Sequence, residues 1–422
     1  TTGGRTVNVD SQVNGGKLGG LRRFESEALQ PAFAELGRVA IALSETLNYQ
    51  HEIGMDLEGD LGGLFFSDIN SQAAQRGRVI ANTNNGAPRD AQLAVEIIES
   101  SQLPAGSWSL RFGGDGRNFE LVDRATGEVV NQGRLPDPVQ SEISMPGFNI
   151  RIEGGTFNAG DSFLIEPTRN AAANIGLEVN REEDLAFASP VRAEGSAGNT
   201  GDATINQGKM LDVRDPFTNS LLSNFRQDGQ LDPPLDIQFR DDGGQLVYDI
   251  VDANTNTVLQ AGDAAAVPPV NVFQAGQSNK LFTEDPRSPD YFGFQFEISG
   301  NPRPGDSFSI NYNTNGVSDN RNAEFLAALG TENTLNNGSQ SFAEGYAGLV
   351  EDIGVKTRQS QLDKDAGSTL LEQSTNQRES VSGVNLDEEA GKLIQYQAAY
   401  NASAQVVSVA QDLFNTLLQS FR

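Results

Sequence analysis

The residue types that most often carry catalysis are scarce in this chain. Among its 422 residues there is one histidine, His51, and no cysteine. A lone histidine cannot form the usual multi-histidine metal site, and without cysteine there are no disulfides, thiolate nucleophiles or cysteine zinc sites. His51 follows a helical pattern in "NYQHEIG". We therefore expect it at a helix C terminus, where the helix dipole favours the charged form.

One acidic turn resembles part of a calcium-binding loop. Asp56, Glu58 and Asp60 occupy alternate positions in "DLEGDLGGLFFSD", like the start of an EF-hand loop. The glycine that such a loop requires at its sixth place is Leu61 here, and the glutamate required at its twelfth is Ser67. The segment is therefore predicted to be a solvated turn with no metal.

Three other patterns could imitate functional sites. "RFGGDGRNFE" is glycine-rich, but it lacks the Lys-Ser/Thr of a phosphate-binding loop and lies between predicted strands, so a hairpin turn accounts for it. Acidic pairs such as Asp115 with Glu120, or Asp241 with Asp242, could imitate glycosidase carboxylates, but 57 acidic residues produce such pairs by chance. Trp108 could belong to a sugar-binding aromatic face, yet strand alternation places it with core residues. The sequence predicts no enzyme, no catalytic residue and no cofactor.

The composition limits the possible partners. A formal net charge of −27 opposes binding to nucleic acid, which requires clustered Lys and Arg. No apolar run reaches the roughly 18 residues that mark a membrane-spanning helix, so no membrane partner is predicted. The absence of cysteine also suits a chain that is exported unfolded through a narrow channel.

Proline positions divide the chain. Apart from Pro31, all of the 17 prolines lie between Pro88 and Pro304. Because helices exclude interior proline and loop-rich β domains tolerate it, helical ends are predicted around a β-rich middle. The first helix is predicted from about Ser26 to Gln50, with Pro31 in its first turn or kinking it. The apolar positions that we expect to pack inside the helical domain are Leu29, Phe33, Leu36, Leu43 and Leu47.

The middle contains an internal duplication. The segment from Trp108 to Val130 aligns without a gap to the segment from Ile237 to Leu259. The segment from Phe148 to Ile165 aligns to that from Phe294 to Ile310 with one residue inserted. Apolar residues alternate in both copies, which predicts strands joined by turns. The copies share a Gly-Asp-Ser-Phe turn, in which the glycine supplies unusual backbone angles and the aspartate caps the turn.

These patterns predict a multidomain α+β protein. A helical-bundle or coiled-coil domain is expected from both chain ends, residues 1–70 and 317–422. Two antiparallel β-sandwich or barrel-like domains, related by the duplication, are expected at 71–190 and at 191–316.

The last helix is predicted to begin after Asn385, and it carries a heptad pattern. Large apolar residues recur every seven positions, at Leu386, Leu393, Tyr400, Val407, Phe414 and Phe421. A seven-residue period predicts a supercoil with a partner helix, which Ala390, Ala404 and Leu418 would also contact. That partner is either the preceding helix of the same chain or a helix outside this chain, and we favour the second.

The terminal segments resemble a known family. "SGVNLDEEAGKLIQYQAAYNASAQVVSVAQDLFNTLL" is similar to the C-terminal signature of bacterial flagellar axial proteins. "GGKLGGLRRFESEALQPAFAELGRVAIALSETLNYQHEIGMDLEGDLGGLFF" and "NAEFLAALG…SFAEGYAGLVEDIGVKT" narrow the resemblance to the flagellar hook-associated protein 1 family, the hook–filament junction proteins. The resemblance implies that an N-terminal helix, the partner of the last helix, is missing from this chain. It also implies that the second β domain, 191–316, is an extra module inserted between "EEDLAFASP" and "SDNRN".

The same resemblance implies a structural role in motility and flagellum assembly. The subunit would pass the type III export channel without a cleavable signal peptide and assemble outside the cell. Its partners would be copies of itself, the hook protein, the next hook-associated junction protein and a cytoplasmic export chaperone at the C-terminal helix. Two alternatives stay open: a secreted β-sandwich adhesin or carbohydrate-binding protein, and a flagellin-type filament subunit.

Overall fold

A computed structural model of the chain describes residues 16–136, 141–226, 229–383 and 385–420. It separates into two units, residues 1–351 and 352–422. The second unit contains the last helix and most of the helix before it. The helices are α1 (Gly16–Phe24), α2 (Gln30–Glu52), α3 (Gln72–Gly77), α4 (Ala171–Asn174), α5 (Arg321–Ala328), α6 (Phe342–Ser382) and α7 (Leu386–Ser420). The predicted helical ends around a β-rich middle are confirmed.

The β-rich middle of the first unit begins with eight strands in two antiparallel sheets. The strands are β1 (Val79–Ala81), β2 (Gln92–Ile97), β3 (Trp108–Phe112), β4 (Asn118–Asp123), β5 (Val129–Arg134), β6 (Ser141–Met145), β7 (Phe148–Gly154) and β8 (Ser162–Ile165). One sheet has the order β1-β8-β3-β4-β5 and the other the order β2-β7-β6. Alternate residues of both sheets form one hydrophobic core, and Trp108 is buried in it, as the alternation predicted.

The following strands build three further sheets, one of which has only two strands. They are β9 (Val191–Gly195), β10 (Thr204–Ile205), β11 (Lys209–Met210), β12 (Phe225–Arg226), β13 (Gln230–Leu231), β14 (Leu235–Asp242), β15 (Gln245–Asp252), β16 (Thr257–Gln260), β17 (Asn279–Leu281), β18 (Phe294–Ser299) and β19 (Ser307–Tyr312). The five-stranded sheet has the order β9-β19-β14-β15-β16, and β18 pairs with β10, β11 and β17. These two sheets contribute to a separate core. A small hairpin, β20 (Asn333–Leu335) with β21 (Gln340–Ser341), precedes α6.

The two five-stranded sheets share strand order and pairing. In the first, Leu110 pairs with Leu121 and with Phe163. In the second, Ile237 pairs with Ile250 and with Phe308. Matching these pairs moves the first strand of the ungapped sequence alignment by two residues. The reason is that the hairpin from Ile237 to Ile250 is two residues longer than that from Leu110 to Leu121, because β14 and β15 are longer strands although their turn is shorter. Alternation alone does not reveal this difference.

Each β region contains the predicted Gly-Asp turn, and the two turns share their hydrogen bonds. Gly160 and Gly305 have φ of +86° and +94°, as expected for a position that favours glycine. The Phe112 N–H donates to the Asp161 carbonyl at 2.9 Å, and the Phe239 N–H donates to the Asp306 carbonyl at the same distance.

Polar side chains brace both turns in the same way. Asn85 accepts from the Ser162 N–H at 2.9 Å and donates to the Ser162 carbonyl at 3.1 Å. Asn199 makes the same two bonds with Ser307, at 2.8 and 2.9 Å. An asparagine far away in sequence therefore holds each turn, and the predicted capping aspartates are both buried.

The N-terminal helical segment differs from its prediction in length and in its buried face. It begins at Gly16 and passes through a π-helical turn at Glu25–Leu29 before α2. Pro31 lies in the first turn of α2, as expected, and the wider turn before it accommodates the missing proline N–H.

The predicted packing stripe of α2 is not its core face. The structure leaves Leu29 and Phe33 exposed and Leu36, Leu43 and Leu47 half-buried. The buried face consists of Gly37, Arg38, Ile41, Ala42, Ser44, Asn48 and His51. A Cβ on Gly37 would lie 2.2 Å from the Thr168 carbonyl oxygen. The close approach of the loop that contains Thr168 therefore determines which face of α2 is buried. The spacing of apolar residues along a helix identifies an apolar stripe, but it does not identify the element that packs against that stripe.

Polar residues fasten the C-terminal end of α2. Asn48 donates to the Phe66 carbonyl at 2.9 Å and accepts from the Phe65 and Phe66 N–H groups at 3.0 and 2.7 Å. His51 is fully buried; its Nδ1 lies 2.7 Å from the Gly63 carbonyl, and its Nε2 accepts from the Ala186 N–H at 3.0 Å. The acceptor role of Nε2 requires a neutral ring.

The electrostatics of His51 correct the expectation of a dipole-favoured, charged imidazole. Burial lowers its pKa, and the Gly63 hydrogen bond and the Asp56 charge oppose that effect without reversing it. Asp56 itself organises the acidic turn by accepting from the Glu58 and Asp60 N–H groups, each at 2.9 Å. The segment is a turn, as predicted, but its first carboxylate is buried and bonded to its own backbone instead of being solvated.

The buried aspartate of the second β region gives a first prediction. Asp306 accepts from the N–H groups of Arg303 at 2.7 Å, Thr200 at 2.7 Å and Gly201 at 3.0 Å. We expect Asp306→Ala to cost about 3 kcal/mol, because it removes a buried, charged acceptor and leaves three backbone N–H groups without their partner. Hydrogen exchange of the β14 and β19 amides measures the loss. Asp263→Ala is the control, because Asp263 caps an exposed turn; equal losses in both variants would contradict the argument.

The same carboxylate predicts an acid limit. Desolvation raises the pKa of Asp306, but the three backbone hydrogen bonds outweigh it and lower the pKa below its ordinary value. A group with a lowered folded pKa stabilises the fold above its unfolded pKa, about 3.9, and loses that effect as the pH falls through the folded value. The exchange protection of β14 and β19 should therefore fall below about pH 4.

His51 predicts a second pH response near neutrality. Its folded pKa is lowered, so its contribution is complete above the unfolded pKa of about 6.5 and is lost as the pH falls through the folded value. Thermal unfolding followed by circular dichroism should show the wild type losing stability between about pH 7.5 and 5.5. His51→Gln should be less stable at the upper pH and respond less to acid. Parallel pH curves for the two proteins would refute this account.

Candidate assembly surface

The candidate functional surface is α7, which begins with an organised N terminus. The Asn385 side chain accepts from the Asp387 N–H at 3.1 Å, so the predicted cap is confirmed. Asp387, Glu388 and Glu389 occupy the first turn, where the helix dipole favours negative charge. Lys392 lies 2.9 Å from Glu389, an exposed ion pair that contributes little to stability.

Every residue from 385 to 420 is exposed, including the predicted heptad positions. Leu386 is 82%, Tyr400 76% and Phe414 64% exposed. Leu393, Val407, Ala390, Ala404 and Leu418 are also exposed, and Phe421 lies outside the described residues. The structure therefore brings the predicted stripe onto one continuous helix, with its apolar side chains in water.

The preceding helix does not cover this stripe. Within the second unit, the apolar residues of α6 are exposed as well, namely Ile353, Val355, Leu362, Leu370, Leu371 and Val381. Only the first turns of α6, in the first unit, are anchored: Ser341 and Glu344 exchange capping hydrogen bonds, and Leu349 is buried. The sequence left two candidates for the partner of α7, the preceding helix and a helix outside this chain. Among the described residues, the preceding helix does not pack on the stripe.

The apolar surface of α7 is wider than the predicted seam. Sequence reasoning missed the exposed residues Ile394, Tyr396, Val406, Val409, Leu413 and Leu417. Tyr396 and Leu417 lie three positions after a heptad residue, and Val406 and Leu413 lie one position before one. The three-residue spacing keeps Tyr396 and Leu417 on the side of the heptad residues, whereas Val406 and Leu413 lie about 100° around the helix and widen that face. A search for a/d/g positions would have found these four residues. A face this broad is typical of a helix with more than one neighbour.

The residues that the sequence offered as candidates for catalysis or metal binding form no reactive site in the described part of the chain. Within the described part of the chain, no group of three or more metal-ligating side chains could hold an ion, and no helix there is long and apolar enough to cross a membrane. Asp115 makes an ion pair with Arg134 and caps the β3–β4 turn through the Arg117 and Asn118 N–H groups. The glycine-rich segment is therefore the hairpin turn that its sequence predicted.

Comparisons with known proteins agree at both ends of the chain. A family model described as the flagellar hook-associated protein FlgK helical domain matches residues 1–66. A model described as the flagellar basal body rod FlgEFG protein C-terminal region matches residues 376–420, which include α7.

Individual relatives extend the similarity over most of the chain. Flagellar hook-associated protein 1 of Salmonella typhimurium is 24% identical over 406 residues, 96% of this chain and 50% of that protein. The Escherichia coli protein of the same name is 23% identical over 99% of this chain and 51% of its own length. The structure of the flagellar hook junction protein FlgK from Burkholderia pseudomallei is 29% identical, with a TM-score of 0.72 over 90% of this chain and 65% of that one.

These matches define a class first: at both of its helical ends the chain is similar to structural proteins of the bacterial flagellum. Within that class it resembles flagellar hook-associated protein 1 over most of its length. That family is structural and not enzymatic, and the resemblance implies a location in the flagellum. The chain spans about half the length of the curated relatives it matches.

The exposure of α7 predicts its sensitivity to protease. An unpacked helix opens locally at low cost, because its stability rests on local bonds alone. Trypsin should therefore cut the isolated chain after Lys392 and Lys364 well before Arg38, which is buried in α2. Mass spectrometry of a digestion time course identifies the cuts. Survival of Lys392 for as long as Arg38 would mean that the chain covers its own stripe.

Proposed function

We propose that this chain is a structural subunit of the hook–filament junction, which joins hook to filament by helical self-assembly through its terminal helices. The observation that carries the proposal is the uncovered apolar face of α7. Burying five large side chains, each contributing roughly 1.5–3 kcal/mol, would stabilise an assembly by on the order of 10 kcal/mol. An apolar surface of that size marks an interaction site in a soluble protein.

The N-terminal helices support the same role. Leu18, Leu21 and Phe24 in α1, and Phe33 in α2, are exposed although they are large and apolar. The two ends of the chain thus both present uncovered helical surface. We propose that α7 pairs with a further N-terminal helix in a coiled coil through Leu393, Tyr400, Val407 and Phe414, and with neighbouring subunits through its wider face. Repeated heterologous contacts between identical subunits generate a helical assembly.

The partners that we propose are suggested by the names of the relatives. The Burkholderia structure is that of a flagellar hook junction protein, and the curated relatives are hook-associated proteins. We propose hook protein on one side and the next hook-associated junction protein on the other. We further propose extracellular assembly after type III export without a cleavable signal peptide. Before export, a cytoplasmic chaperone would hold the apolar face of α7 as a helix in a groove.

The β regions are proposed to be two domains related by duplication. The division places one domain at 71–190 and the other at 191–316, with the axial helices from 1–70 and 317–422. Its support is the pair of separate cores, the matching strand orders and the shared bonding of Asp161 with Asp306 and of Asn85 with Asn199. A turn bonded in the same way by equivalent residues is a more specific match than strand alternation.

A charge placed on the proposed seam tests the function. In the whole protein made by the cell, Val407→Glu should abolish incorporation, because docking would bury an unpaired carboxylate. The matched control is Gln405→Glu, which adds the same charge about 200° around the helix. The readouts are swimming in soft agar and immunogold labelling of isolated flagella.

The expected pattern for wild type and Gln405→Glu is a label confined to the hook–filament boundary. Val407→Glu cells should carry unlabelled hooks and release flagellin into the medium. Label along the whole filament would point to a flagellin instead, and normal swimming of the Val407→Glu strain would remove the proposed seam.

A further inference from the structure

The second β region contains a polar cleft that the assembly role does not use. Its volume is about 470 Å³, within the range of small-molecule sites. The lining side chains come from the five-stranded sheet, from β17 and β18, and from the long connections around them. Those that the following argument uses are Tyr248, Gln260, Asn271, Lys280, Phe282 and Asp290.

A hydrogen-bonded network fixes the polar wall of the cleft. Gln260 donates to an Asp290 carboxylate oxygen at 2.8 Å and accepts from the Asn271 amide at 3.1 Å. Opposite charges are paired at the rim, where Lys280 donates to Glu284 at 3.2 Å. Each of these groups keeps further donor or acceptor capacity, and together they offer both kinds to a ligand.

The phenol of Tyr248 lacks a partner among the described residues. Its side chain is only 7% exposed, yet its hydroxyl makes no hydrogen bond within the described ranges, and the residue lines the cleft. Burial and the Asp290 charge raise the pKa of Tyr248 to about 12, so the hydroxyl keeps its proton. The hydroxyl oxygen is not itself buried, and because the residue lines the cleft it is available to a bound molecule.

The first β region shows what the same sheet arrangement looks like without a cleft. The residue at the position of Tyr248 is Phe119, which has no hydroxyl to satisfy. Asn131, at the position of Gln260, reaches across to the Ser144 carbonyl at 3.5 Å. There the turn Pro146–Gly147 joins β6 to β7, whereas residues 282–293 join β17 to β18.

One residue of that longer connection is held in an uncommon backbone conformation. Phe282 has a φ of +67°, in the left-handed region that favours glycine. Its ring lies 4.8 Å from that of Phe292 and 5.3 Å from that of Phe294, so packing holds it at the wall of the cleft. Such conformations are strained and concentrate at ligand sites.

We propose that this cleft binds a neutral saccharide. Sugar hydroxyls both donate and accept, which matches the Asp290–Gln260–Asn271 network and the Tyr248 hydroxyl, and the Phe282 ring offers a flat apolar surface to the C–H face of the sugar. The paired charges of Lys280 and Glu284 disfavour a strongly charged ligand. The proposal rests on the cleft and on the comparison of the two sheets, and it stands or falls independently of the junction role.

Saturation-transfer difference NMR on the whole chain tests this site. The probes are the methyl glycosides of glucose, galactose, mannose, N-acetylglucosamine and rhamnose. At least one should receive saturation from the wild-type protein. Tyr248→Phe should weaken its binding roughly tenfold by removing one hydrogen bond. It should fold normally, because the first sheet already carries phenylalanine at that place.

Two further variants complete the experiment. Asp290→Asn replaces a carboxylate oxygen with a donor and should also weaken the binding. Tyr312→Phe removes a phenol hydroxyl that bonds to the Gly59 carbonyl at 2.8 Å, outside the cleft, and should leave it unchanged. Saturation of no glycoside in the panel would overturn the proposal. Equal binding by wild type and Tyr248→Phe would do so too, as would equal weakening by Tyr248→Phe and Tyr312→Phe.

Discussion

A long helix whose large apolar side chains all face water is the constraint on which the rest of this protein depends. α7 has 35 residues, and its described positions find no cover in the chain. Local hydrogen bonds alone hold such a helix only marginally in water. The free energy that would order it has to come from burial against another helix, and this is why we propose that its folding is completed by assembly.

The first unit, in contrast, buries its large apolar side chains in cores of its own. Its two β regions each enclose a core between antiparallel sheets, and a buried aspartate in each closes the turn that feeds the central strands. In the second region the carboxylate is held by three backbone N–H groups, which keep it ionised in spite of its burial. Polar atoms that are fully bonded can thus be placed inside a core without loss of stability.

Within the first unit, α2 is fixed by polar contacts as well as by the burial of Ile41 in the core of the first β region. Asn48 and His51 bond to backbone groups of neighbouring loops, and Arg38 donates to Asn336 of the hairpin before α6 at 2.8 Å. This arrangement leaves the leucine side of the helix partly uncovered. A helix held by its polar face retains its apolar stripe for a further neighbour, which is consistent with the proposed axial packing.

The sequence by itself determined the features that depend on local period and local backbone angles. These are the heptad of α7, the Asn385 cap, the strands of both β regions and the glycines of the Gly-Asp turns. The tertiary structure alone decided which residues meet across the chain. His51 became a neutral acceptor because it bonds to Ala186, 135 positions away, and α2 buries Gly37 because a distant loop approaches it. The polar cleft depends on connections whose lengths differ between the two β regions. Periodicity carries no information about such long-range pairings, because they depend on how separate elements pack.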